Sequence, residues 1–161
     1  MLSSPAPAPR TDIEAALRRV DIFNGLSDRQ VARLAKLATQ REFPAGTLIL
    51  RRGDTGMALY VIESGRVAVT VQSDEGGGER RLAEFGPGDV FGEMALIDGG
   101  PRAADVTAVD ATRCVLLTRW DFAGEISRDA DIARALLPVL CARIRELNER
   151  LARYESEARA E

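Results

Sequence analysis

Histidine is absent from this 161-residue sequence, and cysteine occurs only twice. Without imidazole, the chain cannot build a histidine metal site, a haem ligand, a Ser-His-Asp triad or a histidine acid–base pair. Cys114 and Cys141 are too few and too far apart for a zinc cluster or a disulfide framework, which favours a reducing compartment. We therefore expect a regulatory or binding protein of the cytoplasm rather than an enzyme, with no catalytic residues and no metal.

Long hydrophobic runs and an excess of positive charge are also missing. The longest apolar run, at 135–142, is too short to cross a bilayer, and residues 1–9 lack the basic start and apolar core of a secretory signal. The net charge of −3, with a pI near 5.2, does not suit direct binding to DNA. We expect no direct contact with a membrane or with DNA.

The remaining composition is that of a globular protein, with 45% hydrophobic and 29% charged residues. The length suits one domain, or one domain with an appended helix. The proline-rich start predicts a disordered tail over residues 1–10. We expect N-terminal helices and a β-domain over residues 11–126, followed by C-terminal helices over residues 127–161.

Two periodicities divide the chain before its C-terminal part. Ser27 is a candidate N-cap, and Val31 and Leu34 behind it lie on one helical face. Over residues 43–118 the apolar residues instead alternate in short strands about ten residues apart, separated by glycine turns that include a hairpin tip at 76–78. This spacing favours a sandwich or barrel. The predicted fold class is therefore mainly β with flanking α-helices.

The C-terminal part returns to helical spacing. Apolar residues three and four positions apart form what we call the heptad stripe, namely Leu137, Leu140, Ile144, Leu147, Leu151, Tyr154 and Ala158. The stripe predicts a helix that pairs with a second copy of the chain, so that Arg150 of one copy faces Glu155 of the other. The alternative is that the stripe packs against its own β-domain.

Pro138 lies inside this helical stretch. A proline in a helix interior costs about 3 kcal/mol and removes one backbone hydrogen bond. We therefore predict a break, with one helix ending near Leu137 and the next beginning at Pro138. The joint would serve either as a hinge or as a tolerated kink.

Residues 91–106 contain the side chains of the sequence that are best suited to binding a ligand. They predict a strand end, a glycine, the carboxylate of Glu93, one helical turn, a glycine turn and then Arg102 entering a strand. The backbone amides of Met94 and Ala95 at the helix start suit an anion, and so does the permanently charged guanidinium of Arg102. Glu93 only accepts hydrogen bonds, so it suits a sugar hydroxyl rather than a phosphate. Together they predict a site for a ribose phosphate.

Two small residues after the arginine, Ala103 and Ala104, leave room for a ligand against the backbone. The alternative is that Glu93 and Arg102 pair with each other across the turn. An exposed pair of that kind is common and is worth less than about 1 kcal/mol.

The segment from residue 91 resembles, in FGEMALIDGGPRAADVTA, the phosphate-binding cassette of the cyclic nucleotide-binding domain family. This family includes the bacterial cAMP receptor proteins and the regulatory subunits of protein kinase A. Its first strands are similar to FPAGTLILRRGDTGMALYVIESGRVAVTV, and its N-terminal helical element is similar to IFNGLSDRQVARLAKLA. The resemblance covers residues 21–151. It implies an eight-stranded, jelly-roll-like β-roll with N-terminal helices and a long C-terminal helix.

The resemblance also implies roles for the residues of the cassette. Glu93 and the backbone of Gly92 would bind the ribose 2′-hydroxyl. Arg102, together with the backbone amides of Ala95 and Ala103, would bind the cyclic phosphate.

Other positions are matched more loosely by the same resemblance. Val69 and Leu82 would line the sugar and the base, and the final helix near Leu147 and Asn148 would cover the base as a lid. Family members that prefer cGMP often carry a hydroxyl residue directly after the arginine. Because Ala103 stands there, the resemblance implies cAMP in preference to cGMP.

The expected function is a cytoplasmic cAMP sensor, with no cofactor besides that ligand. It would relay ligand binding to an unidentified protein partner by rearranging its C-terminal helix. In the transcription-factor branch of the family a helix-turn-helix domain follows the long helix, and we expect no further globular segment before Glu161. The alternative is a protein that resembles a transcription regulator, lacks the DNA-reading domain and acts through protein–protein contacts.

Overall fold

A computed structural model describes residues 10–73 and 76–160 of the chain. The helices in these ranges are α1 (Arg10–Arg18), α2 (Asp28–Leu37), α3 (Glu93–Asp98), α4 (Arg119–Arg128) and α5 (Ala130–Ala160), with a 3₁₀ turn at Asp21–Phe23. The strands are β1 (Thr39–Phe43), β2 (Leu48–Leu50), β3 (Ala58–Ser64), β4 (Val67–Gln72), β5 (Glu79–Phe85), β6 (Val90–Phe91), β7 (Asp105–Ala108) and β8 (Thr112–Thr118). The tail predicted over residues 1–10 lies outside the described residues, except that Arg10 begins α1.

The described strands form two four-stranded antiparallel sheets. The first sheet has the order β1-β8-β3-β6, and the second has the order β2-β7-β4-β5. The eight-stranded roll with flanking helices is therefore confirmed. The hairpin between β4 and β5 turns at 76–78, as predicted, with the Ser73 amide donating to the Gly78 carbonyl.

The first sheet lies between the helices and the second sheet, as the side chains of β3 show. Successive side chains of a strand point to opposite faces of its sheet. Leu59 and Val61 face the helices and join their core, whereas Tyr60 and Ile62 face the second sheet and join the core between the sheets. The strand is apolar on both faces because both faces are covered.

The two cysteines are free thiols in contrasting surroundings. Cys114 lies on β8 in the core between the sheets, where burial raises the pKa of its thiol to about 12. Cys141 is exposed on α5. Cys114 therefore stays protonated and unreactive at neutral pH.

The start of α2 is set by a capping box, in agreement with the predicted N-cap. The Ser27 hydroxyl accepts a hydrogen bond from the Gln30 amide at 3.2 Å, and the Gln30 side chain accepts one from the Ser27 amide at 2.9 Å. Val31 and Leu34 are buried, as predicted. The capped helix therefore presents its apolar face to the helical core.

Helices from the N-terminal and C-terminal parts of the chain share that core. The predicted boundary between residues 126 and 127 falls inside α4, which ends at residue 128. Phe122 of α4 packs against Phe23, with ring centroids 5.6 Å apart. Ile132 in the first turn of α5 is fully buried in the same cluster. The beginning of α5 is therefore part of the domain that it was predicted to follow.

The predicted break at Pro138 is wrong, because α5 runs unbroken from residue 130 to residue 160. Pro138 is exposed, so the carbonyl of Arg134, which loses its helical partner, lies where water can reach it. Ile132 and Leu136 on the opposite side are buried and hold the direction of the helix. The helix therefore continues through Pro138 despite the backbone hydrogen bond that this residue cannot form.

In the part of the chain that the structure describes, none of the helices has both the length and the apolar character needed to cross a membrane.

Phe122→Ala should lower the free energy of unfolding by about 3–5 kcal/mol, because it leaves a cavity where a ring only 1% exposed joins the two ends of the chain. Urea denaturation measures the change. The matched control is Trp120→Ala on the same helix, whose ring is 65% exposed, and it should change the free energy by no more than about 0.5 kcal/mol. Equal losses in both variants would contradict the described packing.

Candidate functional site

The centre of the predicted cassette is α3, a six-residue helix that begins directly after β6. Gly92 is the residue just before this helix and Gly99 is the residue just after it. Their φ angles of 80° and 64° lie in the left-handed region that favours glycine. A Cβ atom on Gly92 would lie 2.6 Å from Arg102 Nη1 and 2.9 Å from the Ala58 carbonyl oxygen. Gly92 is therefore required both by its backbone conformation and by the approach of Arg102.

Arg102 is buried at 8% exposure, which is unusual for an arginine. Its Nη2 donates to the Ala58 carbonyl at 2.7 Å, and its Nη1 donates to the Gly92 carbonyl at 3.2 Å. Among the described residues, no carboxylate forms an ion pair with it. The guanidinium has further N–H donors, so it holds its place through carbonyls and keeps donors for an anion.

Burial lowers the pKa of Arg102, while the nearby Tyr60 and Glu93 oppose this shift. Burial also raises the pKa of Tyr60, against the effect of Arg102 and Arg41. The guanidinium nevertheless remains charged, because arginine does not deprotonate in proteins. A buried cation without a carboxylate partner is costly, so the surroundings of Arg102 are electrostatically prepared for an anionic ligand.

Glu93 pairs with α5 and not with Arg102, so the structure does not contain the alternative turn-spanning pair. Its Oε1 accepts from Arg143 Nη1 at 3.1 Å. A second carboxylate, that of Asp21, lies 3.8 Å from Arg143. Glu93 is therefore connected to the last helix through Arg143.

A cavity of about 290 Å³ brings most of the predicted site residues together. Those that line it are Val69, Gly92, Glu93, Met94, Ala95, Arg102, Ala103 and Ala104. A buried cation and an acceptor-only carboxylate therefore share one concave space with small side chains between them. Such a space suits a small anion that also carries a hydroxyl group.

Leu82 is not brought to the cavity, which differs from what the resemblance implied. A β-bulge between Val69 and Thr70 shifts the register of β4 against β5, so that Val69 pairs with Ala83 and Thr70 pairs with Arg81. Leu82 is the residue passed over by this shift, and it is 50% exposed. The bulge therefore places Ala83 opposite Val69 and leaves Leu82 without a paired residue on β4.

The two lid candidates also lie away from the cavity. Leu147 is 56% exposed on α5, Asn148 is exposed beside it, and neither is among the residues that line the cavity. The side chain by which α5 reaches the site is Arg143. Arg143 lies earlier in α5 than the predicted lid. Its partners Glu93 and Asp21 are distant in sequence, so the local spacing of residues could not identify this contact.

Sequence reasoning missed the apolar wall of the cavity, formed by Leu50, Phe85, Val90, Phe91, Pro101 and Val106. Alternating apolar strand residues were the available signal. Deciding which of them point into one cavity required the pairing and register of four separate strands. Phe91 is held there by stacking on Tyr60, with nearly parallel rings 4.8 Å apart.

A further glycine, Gly56, lets the loop before β3 lie against α3. A Cβ atom on it would come within 2.0 Å of Ala95 Cβ and 3.2 Å of Arg102 Cζ. The Gly56 amide donates to the Gly100 carbonyl at 3.1 Å. The position of the cassette therefore depends on the absence of a side chain here.

A family model described as "Cyclic nucleotide-binding domain" matches residues 40–129, which is more than half of the chain. The chain belongs to the cyclic nucleotide-binding domain family. The matched residues include the whole roll from β2 to β8 and the buried arginine.

Curated relatives and a solved structure agree with this assignment. The "Cyclic AMP receptor protein" of Thermus thermophilus is 39% identical over 125 residues, which are 78% of this chain and 57% of that protein. The "CRP-like cAMP-activated global transcriptional regulator" of Mycobacterium tuberculosis is 34% identical over 140 residues, which are 87% of this chain and 62% of that protein. This chain thus matches about three fifths of the length of these relatives.

One similar solved structure is the N-terminal domain of a transcriptional regulator from Streptomyces coelicolor. It superposes with a TM-score of 0.76 at 32% identity, covering 84% of this chain and 94% of that one. The described residues therefore share their architecture with a domain of known structure.

Gly56→Ala should lower the free energy of unfolding by about 1–3 kcal/mol, because the new methyl group overlaps Ala95 and pushes α3 from the sheet. Thermal or urea unfolding measures this. The control, Gly124→Ala, adds the same methyl group at an exposed position of α4 with nothing within 4 Å, and should stabilise the protein by about 0.5–1 kcal/mol. A stabilising Gly56→Ala would show that α3 does not pack as described.

Proposed function

We propose that this chain is a cyclic-nucleotide sensor that binds cAMP in preference to cGMP and relays binding through α5 to a protein partner. The observation that carries this proposal is the buried Arg102, unpaired with any described carboxylate, in one cavity with Glu93. The guanidinium of Arg102 suits the negatively charged phosphate of a cyclic nucleotide, and the carboxylate of Glu93 suits its ribose hydroxyl. As a regulator, it would need no catalytic residue and no cofactor other than its ligand.

In the proposed complex, the remaining donors of Arg102 and the amides of Ala95 and Ala103 take the cyclic phosphate. A guanidinium donating to a phosphate forms charge-assisted hydrogen bonds, which are about twice as strong as neutral ones. Glu93 and the Gly92 backbone take the ribose 2′-hydroxyl. The apolar wall of the cavity then faces the sugar and base.

The preference for cAMP rests on Ala103, which offers no hydroxyl to a guanine. The names of the two curated relatives, both of which refer to cAMP, support the same ligand. Leu147 and Asn148 remain our candidates for covering the base, which would require α5 to move from its described position. Ligand can drive this movement only as far as it binds the moved form more tightly.

A second copy of the chain is the proposed partner of α5. Members of the heptad stripe that point away from the roll are strongly exposed, between 56% and 70%, at Leu137, Ile144, Leu147, Leu151 and Tyr154. Apolar side chains repeated at this spacing are stabilised when a second helix covers them. The exposed stripe therefore favours pairing between copies over packing on the roll.

A second candidate function is a regulator that acts through protein–protein contacts without reading DNA itself. Its support is the similarity to cAMP-responsive transcriptional regulators combined with a net charge of −3. Direct binding to DNA by the sequence in hand is not expected, because phosphate contacts need concentrated positive charge. We place either activity in the cytoplasm, where the exposed thiol of Cys141 would stay reduced.

Arg102→Ala should weaken cAMP binding by about 2–3 kcal/mol, which is roughly 30- to 150-fold, because it removes the charge-assisted bonds to the phosphate. Isothermal titration calorimetry measures the affinity. Arg66→Ala is the matched control, since Arg66 is an exposed arginine paired with Asp110 and Glu84 and does not line the cavity.

The melting temperature of ligand-free Arg102→Ala, and a second variant Arg102→Lys, separate a binding defect from a folding defect. Lysine keeps the charge and should retain part of the affinity. A folded Arg102→Ala variant with unchanged affinity for cAMP would defeat the proposed function, and so would a wild-type chain that binds no cyclic nucleotide.

Leu151→Glu should weaken self-association at least tenfold, because it puts an acidic group into the centre of the heptad stripe on both copies. Sedimentation velocity or light scattering over a concentration series measures this. Ala152→Glu adds the same charge one position along, outside the stripe, and should leave the assembly unchanged. A wild-type chain that stays monomeric at high concentration contradicts the pairing.

A further inference from the structure

The joint between the last two helices consists of a single residue. α4 ends at Arg128, α5 begins at Ala130, and only Asp129 lies between them. The Asp129 amide donates to the Glu125 carbonyl at 2.9 Å, and Asp129 Oδ1 accepts from the Asp131 amide at 3.1 Å in the first turn of α5. Asp129 therefore closes one helix and caps the next. Because α5 is continuous to residue 160, a rotation of the whole helix pivots at this joint.

Two side chains of α2 hold this joint, although they lie about a hundred residues earlier in the sequence. Asp129 Oδ2 accepts from Arg33 Nη2 at 2.5 Å and from Gln30 Nε2 at 3.1 Å. The hydrogen bonds from Gln30 and Arg33 lower the pKa of Asp129, so its carboxylate is charged at neutral pH. The bond from Arg33 is therefore charge-assisted, and it favours the described position of the joint.

A second carboxylate faces the same arginine from inside α4. Glu125 Oε2 lies 3.1 Å from Arg33 Nε, and the Glu125 side chain is only 6% exposed. Both atoms are buried, and among the described residues neither takes part in a hydrogen bond. Removing two charges from water is costly, and their attraction repays this cost only when hydrogen bonds also satisfy them. This inner pair therefore opposes the described packing, whereas the outer pair at Asp129 supports it.

We propose that Arg33, Glu125 and Asp129 form an autoinhibitory latch, which holds α5 in its described position and opens when a ligand draws α5 towards the cavity. The inference rests on the proposed function and adds a regulatory contact to it. In the described position, the lid candidates Leu147 and Asn148 do not line the cavity. Covering the base therefore requires the helix to turn at the joint that Arg33 holds.

The two pairs of the latch act in opposite directions on ligand binding. A ligand that needs the moved position binds with an apparent affinity reduced by the fraction of chains in that position. The outer pair between Arg33 and Asp129 lowers this fraction. Opening the latch gives Glu125 back to water, so the inner pair raises the fraction. The latch is thus closed without ligand and can still be released by one.

The test measures cAMP affinity by calorimetry for variants of the two carboxylates. Asp129→Asn keeps the size of the side chain and the oxygen that caps α5, but puts a neutral amide where Oδ2 accepts from Arg33. It should loosen the outer pair and make cAMP bind at least about threefold more tightly.

Glu125→Leu should have the opposite effect. It replaces a buried carboxylate by an apolar side chain of similar size and leaves the contact between Arg33 and Asp129 in place. The melting temperature should rise, because the cost of the buried charge is gone. Affinity for cAMP should fall by at least about threefold, because α4 is held more firmly against α2.

Arg128→Gln is the matched control. Arg128 lies 3.6 Å from Glu125, but its side chain is 78% exposed, so the contact contributes little. This variant should keep the cAMP affinity within about twofold. Hydrogen exchange without ligand gives a second readout, in which the amides of the first turns of α5 should exchange faster in Asp129→Asn and more slowly in Glu125→Leu.

The opposing results separate the latch from the proposed function. Changes in melting temperature with unchanged affinities would leave the cluster a purely structural role and overturn the inference, and so would affinity changes of the same direction in both carboxylate variants. A Glu125→Leu variant less stable than the wild type would overturn it by showing that the inner pair is not a cost. If the wild type binds no cyclic nucleotide but the exchange rates shift as expected, the proposed function fails and the latch remains a contact that controls α5.

Discussion

The structure is organised around the buried guanidinium of Arg102, which forms an ion pair with none of the carboxylates that the structure describes. Arg102 is held by the carbonyl groups of Ala58 and Gly92, which carry no net charge, so the guanidinium stays cationic beside the cavity. In the low dielectric of a protein interior, such a charge exerts a much stronger pull on an anion than it would in water. The backbone must also come very close to hold it, which explains why Gly56 and Gly92 lack side chains at this point.

The layers of the fold determine how this charge is connected to the rest of the molecule. β3 contributes to both cores and provides the Ala58 carbonyl that receives Arg102. α3 packs against β3 and α4, and its Glu93 contacts α5 through Arg143. In the proposed function, a change in ligand occupancy would act on a short helix whose Glu93 already contacts α5, the helix that carries the heptad stripe.

Much of the fold and of the site could be predicted from local pattern. The N-cap at Ser27, the short strands between residues 43 and 118 and the helical spacing of the heptad stripe are properties of neighbouring residues, and each lies in an element of the predicted type. The cassette was recognisable because a glycine, an acid, a helical turn and Arg102 lie close together in sequence. Residues that act through such short-range geometry can be identified before any tertiary contact is known.

The amino-acid order alone determined the type of strand and helix, the exclusion of histidine chemistry, and the pair of groups suited to a ribose phosphate. Tertiary structure decided the rest. A one-residue bulge turned Leu82 to solvent, burial of Ile132 and Leu136 kept α5 continuous through Pro138, and Glu93 met Arg143, which lies far from it in sequence. Register, burial and long-range pairing depend on how separate elements pack together, and no local spacing encodes them.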